Sequence, residues 1–165
     1  MSFRRTMGHL FTPPWAVRQR FPAAALSRVE QAIAAGEAGH AGQICFAIEA
    51  ALDGRALWSG QTAAQRALEV FGQLRVWDTE HNNGVLIYLL WADRDVEIIA
   101  DRGVHARVGP EGWESVCREM EAAFRAGRFE DGAIAGVRAV GTHLAQHYPG
   151  EGNARNELPD RPVLL

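Results

Sequence analysis

His81-Asn-Asn-Gly-Val-Leu-Ile-Tyr-Leu-Leu-Trp-Ala-Asp-Arg-Asp-Val-Glu-Ile-Ile-Ala-Asp-Arg-Gly103 carries the longest apolar run of the chain between two polar ends. Val85 to Trp91 is β-branched, aromatic and leucine-rich, with Tyr88 its one polar side chain. It therefore reads as a strand buried on both faces rather than as a helix. Asn82-Asn83-Gly84 supplies the turn before it, because Asn and Gly take positive φ at little cost. Asp93-Arg94-Asp95 reverses the chain, and Val96 to Ala100 forms a return strand that Asp101-Arg102-Gly103 ends.

Upstream of this hairpin, Leu26, Val29 and Ile33 recur at helical spacing in Ala23 to Ala35, with Pro22 just inside the start. Ile44 to Ala51 alternates as a strand, with Ile44, Phe46 and Ile48 on one face and Cys45 and Ala47 on the other. Asp53-Gly54 and Ser59-Gly60 mark a loop with room for a short strand at Ala56 to Trp58. Thr62 caps a helix over Ala63 to Leu74. Downstream, the Asp101 to His105 segment reads as a loop. Glu111 to Ala126 and Phe129 to Tyr148 follow as amphipathic helices, and Glu130 and Asp131 sit at the positive end of the second one's dipole.

A strand joined through a helix to the next strand is normally parallel to it, whereas the Asp93 turn makes an antiparallel pair. The expected architecture is α/β, a mixed sheet with helices on both faces. Residues 1 to 22, 23 to 149 and 150 to 165 form an N-terminal arm, the domain and an extended tail whose apolar end packs on the domain or on a partner.

A chain of 165 residues with 47% hydrophobic content fits one soluble domain. Net charge of −3 gives no reason to expect a nucleic-acid partner. Every basic residue is arginine, which removes a Schiff-base amine and a P-loop lysine from consideration. Cys45 and Cys117 lack metal-ligand spacing, and neither is followed six residues on by the arginine of a cysteine phosphatase. No signal-peptide pattern or membrane-length apolar run is present, which points to a cytoplasmic location. The first 22 residues hold Arg4, Arg5, Arg18 and Arg20, no acidic residue, and Phe3, Leu10, Phe11, Trp15 and Phe21. Such an arm suits an anionic membrane surface or another protein, peripheral to the inner membrane.

Asn82-Asn83-Gly84-Val85-Leu86-Ile87, the acidic and basic hairpin, Asp101-Arg102-Gly103-Val104-His105 and Phe124-Arg125-Ala-Gly-Arg-Phe-Glu-Asp-Gly132 together resemble the TPM-domain family over roughly residues 23 to 149. The resemblance implies a three-layer α/β/α sandwich. It also implies calcium binding, reported for some relatives, and the phosphatase activity after which the family is sometimes called. The chain departs from secreted relatives in lacking a leader, and Gln43 stands where cytoplasmic relatives are expected to carry an acid.

Ligands in open α/β sheets favour the carboxyl ends of parallel strands. Asp53, Asp93 and Asp95 collect there as oxygen ligands for Ca²⁺ or Mg²⁺. The opposite rim gathers Glu37, His40, His81, Asn82, Asn83, Asp101 and Arg102. In that ligand pocket the amides orient a ligand, Arg102 binds an oxyanion, and His40 or His81 with Asp101 moves a proton. His143 and His147 share a helix face without a third metal ligand. No nucleophile with an adjacent base stands out, so the expected function is a non-catalytic accessory or interaction module, with a metal-assisted phosphatase as the alternative.

Overall fold

The computed structural model describes residues 3–150 and 156–165. Its elements run α1 (Phe3–Leu10), α2 (Pro14–Arg20), α3 (Ala23–Glu37), β1 (Gln43–Glu49), α4 (Gly54–Trp58), α5 (Ala63–Gln73), β2 (Gly84–Leu90), β3 (Asp95–Ala100), α6 (Arg102–Val108), α7 (Pro110–Arg125), α8 (Phe129–His147) and β4 (Val163–Leu164). The sheet order is β3-β2-β1-β4, with β1 parallel to both β2 and β4, and β2 antiparallel to β3. This is the expected α/β/α sandwich with a mixed open sheet.

The central apolar run fills β2, which is buried along its whole length, as is β1. Strand alternation divides the core in two. Ile44, Phe46 and Ile48 join Val85, Ile87 and Leu89 under α2, α3, α7 and α8. Cys45, Ala47, Leu86, Tyr88 and Leu90 face α4, α5 and Leu158 on the other side. Register is pinned at Gly84, where an added Cβ would lie 2.1 Å from the Val76 carbonyl oxygen, so no side chain fits at the start of β2. Asn82, two residues earlier, takes φ of +49° as its turn requires.

Two local readings are corrected. Ala56 to Trp58 is not a strand but the end of α4, because the Asp53 side chain accepts the Ala56 N–H and starts a helix before any strand can pair. The Asp101 to His105 segment is not a loop: Asp101 stands at the head of α6, and its carbonyl accepts the His105 N–H. The tail does pack on the domain, its apolar end adding β4 to β1.

The N-terminal segment forms two docked helices. Val17 and Phe21 enter the core, where Phe21 meets Trp91 and Phe124 edge to face. Arg5 donates to Asp93 Oδ2 at 2.9 Å and to the Gln61 carbonyl at 3.0 Å, clasping α1 across the β2–β3 hairpin. No helix among the described residues is long and apolar enough to cross a membrane.

Candidate functional site

At the carboxyl ends of β1 and β2 lies a cavity of about 780 Å³ lined by Glu49, Asp53, Gln61, Arg66 and Glu69 among others. Glu49, the last residue of β1, faces Tyr88 of β2 and Arg66 of α5. Arg66 donates from Nε to Glu49 Oε2 at 2.8 Å and from Nη2 to Oε1 at 3.1 Å. Tyr88 donates its hydroxyl to Oε2 at 2.6 Å. Burial and the adjacent Glu49 carboxylate push the Tyr88 hydroxyl far above its usual range. The pair of bonds to Glu49 does the same to Arg66, against the opposing effect of burial. This triad is a closed hydrogen-bond network, and it keeps the phenol protonated rather than presenting a base.

The three aspartates expected to bind a metal take different parts. Asp53 caps α4, with Oδ1 on the Ala56 N–H at 2.8 Å. Asp93 belongs to Arg5, and its Oδ1 lies 3.0 Å from His9 Nε2. That contact is out of line for a hydrogen bond. His9 Nδ1 accepts the Leu52 N–H at 3.0 Å, so Nε2 carries the ring proton. Asp95 opens β3, and its pKa is pushed up to about 6 by burial and then by Glu121 and Asp93, with Arg5 opposing. Asp93 and Asp95 thus sit in one hairpin while Asp53 caps a separate helix. Among the described residues no group of three or more His, Cys, Asp or Glu side chains is arranged to hold a metal ion.

The opposite rim is brought together only in part. Asp101 meets the start of β2 as expected from strand pairing, its Oδ2 accepting the Gly84 N–H at 2.8 Å, while the adjacent Asn83 turns its Nδ2 to the Ala41 carbonyl before β1 at 2.7 Å. Glu37 Oε1 accepts the Ile44 N–H at 2.9 Å. Its pKa rises to about 7, chiefly by burial, with the Ile44 N–H pulling it down and Asp160 raising it. His40 is buried against α3 and α8, whereas His81, Asn82 and Arg102 are exposed. The hydrogen bonds that these buried members make go to backbone and hold β1, β2 and the loop before them in register, while His40 Nε2 and Asn83 Oδ1 have no partner among the described residues.

Sequence reasoning missed Arg66, Asp160 and the anchoring role of Gln43, whose Oε1 accepts the Glu157 N–H at 2.7 Å and the Leu158 N–H at 3.1 Å. Tyr88 gave a signal, as the one polar side chain in the apolar run. A tyrosine buried there needs a partner, and Glu49 at the end of the neighbouring strand was the acid within reach.

A family model described as TPM domain matches residues 18–143. The NMR structure of BA42 protein from the psychrophilic bacterium Bizionia argentinensis is similar at a TM-score of 0.76 and 26% identity, over 87% of this chain and 94% of that one. The solution NMR structure of the N-terminal domain of a protein from P. gingivalis shares the fold at a TM-score of 0.60 and 21% identity, over 78% of this chain and 80% of that one. No curated protein matches the chain.

Proposed function

The chain belongs to the TPM domain family, and from that premise we propose that it is a non-catalytic interaction module that docks on an anionic lipid surface through the corner between α1 and α2. The observation that carries this reading is the exposure of Leu10, Phe11 and Trp15, at 72%, 71% and 62%, all within six residues of one another. Large apolar side chains grouped at one corner mark an interaction surface. The neighbouring Arg4, Arg18 and Arg20 are also exposed, and no acidic residue precedes Glu30. A lipid interface rewards this combination, since aromatic insertion adds to about 1 kcal/mol for each arginine near an anionic surface.

The non-catalytic part of the reading is supported by the commitment of Glu49, Asp53, Asn83 and Asp101 to structural hydrogen bonds. A group so engaged is poorly placed to take a substrate proton.

Flotation with vesicles of phosphatidylglycerol and phosphatidylcholine tests the docking. Full-length protein should float with the anionic vesicles, lose binding as salt rises, and ignore pure phosphatidylcholine. A variant carrying Leu10→Ser, Phe11→Ser and Trp15→Ser should stay in solution, and equal flotation of variant and parent would refute the lipid contact. Turnover of p-nitrophenyl phosphate in Ca²⁺ or Mg²⁺, abolished by Asp93→Ala, would refute the non-catalytic assignment in favour of the phosphatase.

A further inference from the structure

Between α1 and the turn of the β2–β3 hairpin lies a cavity of about 530 Å³, lined by Arg4, Arg5, Gly8, Ala92, Asp93 and Arg94. Three arginines here stand against one aspartate. Asp93 is already engaged, since Oδ2 takes Arg5 Nε at 2.9 Å and Oδ1 faces the buried His9. Asp95, the other acid of the hairpin, lines a separate groove with Glu121 of α7. The cavity is therefore net positive, and Arg4 and Arg94 are its exposed cations.

Arg94 is held in place without being neutralised. Its guanidinium carbon lies 5.4 Å from the centroid of Trp91 and 5.8 Å from that of Phe129, and Nη1 donates to the Phe124 carbonyl across 3.4 Å. The rings restrain the guanidinium while most of its five N–H groups stay unspent. Arg4 has no ion pair among the described residues. The space beside Gly8 is open, for a Cβ built there meets nothing within 4 Å. Arg4, Gly8 and Phe11 follow at i, i+4 and i+7, and the Phe11 N–H still bonds the Met7 carbonyl. The cavity and the exposed Phe11 thus share one helix face. Arg20 of α2 sits 5.6 Å from the centroid of the same Phe129 ring, which ties the α2 side of the corner to the cavity.

Resting on the lipid-docking reading, we propose that this cavity seats the phosphomonoester headgroup of an anionic lipid, with Arg94 as the bidentate partner of the phosphate and Arg4 as its second cation. A phosphomonoester presents three terminal oxygens and up to two charges, whereas the phosphodiester of phosphatidylglycerol presents two oxygens and one charge. Two guanidiniums favour the former. The occupant is lipid-borne rather than a free phosphate, because Phe11 on the same helix face brings the cavity to headgroup depth when it enters the interface.

The test floats full-length protein with phosphatidylcholine vesicles carrying either phosphatidic acid or phosphatidylglycerol, adjusted to equal zeta potential so that charge density alone gives no advantage. Phosphatidic acid vesicles should bind at least about fivefold more tightly. Arg94→Lys keeps the charge but not the fork, and should erase that preference while leaving flotation with phosphatidylglycerol within about twofold. Gly8→Gln fills the open space without changing charge and should have the same effect. sn-Glycerol 3-phosphate, titrated by NMR into the protein alone, should bind at least about tenfold more weakly than the phosphatidic acid vesicles. Absence of flotation with either anionic vesicle would overturn the docking reading and the headgroup seat with it. Equal affinity for the two vesicles would overturn the seat alone, as would a preference that survives in either variant. Glycerol phosphate that binds as tightly as the vesicles would overturn the lipid as its source.

Discussion

Tyr88 shows how one polar side chain can sit in a strand that is otherwise wholly apolar. Its ring lies in the core layer with Cys45 and Ala47, and its hydroxyl reaches the Glu49 carboxylate that Arg66 neutralises. Tyr88→Phe removes the hydroxyl but leaves both arginine bonds, so urea unfolding should register a loss of about 1.5 kcal/mol. An unchanged midpoint would mean that the hydroxyl adds nothing to the pair. Glu37 gives a pH signature. In the unfolded chain it titrates near the ordinary 4.5, and in the folded protein at about 7, mainly because it is buried. The folded state therefore holds the proton more tightly, and stability falls as pH rises from about 4.5 to about 7. Glu37→Gln should flatten that fall, leaving the decline due to Asp95, Glu97 and Asp101, whose pKa values burial raises in the same direction. Denaturant midpoints at pH 5 and pH 7.5 measure both, and an equal fall in the variant would remove Glu37 as its source.

At the scale of elements, β1, β2 and β3 were legible because an apolar run, an alternating run and a polar hairpin each leave a period in the sequence. The α4 and α6 helices were not. Each is short and opens with an aspartate, a residue type equally at home in a turn, and nothing in Gly54–Trp58 or Arg102–Val108 repeats long enough to show a period. Strand β4 is two residues long, and only its pairing with Ala47 and Ile48 distinguishes it from coil. The two candidate pockets fared unevenly for a related reason. Strand pairing correctly brought Asp101 next to Asn83, but sequence does not tell whether an asparagine or aspartate at a strand end faces solvent or caps its own backbone. Gly84 is the element-level counterpart of these caps. Gly84→Ala drives a methyl against the Val76 carbonyl and should cost about 2–3 kcal/mol in thermal or urea unfolding. A neutral result would mean that the turn before β2 moves freely away.

At the scale of the whole molecule, the ends of the described chain brace the sheet from two sides. Arg5 holds α1 to the hairpin, His9 holds it to the Leu52 N–H beyond β1, and Gln43 holds the tail that brings Leu158 into the second core and β4 onto β1. Deleting residues 156–165 removes Leu158, the two bonds to Gln43 and the cover of the outer edge of β1. The expected cost is about 3 kcal/mol. An uncovered strand edge also pairs with other chains, so the truncated protein should associate as its concentration rises. Sedimentation that finds a stable monomer would show that the edge is protected by other means.

Cys45 lies in the middle of that sheet, buried in β1, with its thiol pushed up to about 11 by the loss of solvent. Alkylating reagents consume thiolate, so a neutral solution of iodoacetamide finds no target there until the strands part. The molecule in this way carries its own clock for breathing. The rate at which Cys45 gains mass should track sheet opening, quicken in Gly84→Ala, and stay unchanged in Gly8→Gln.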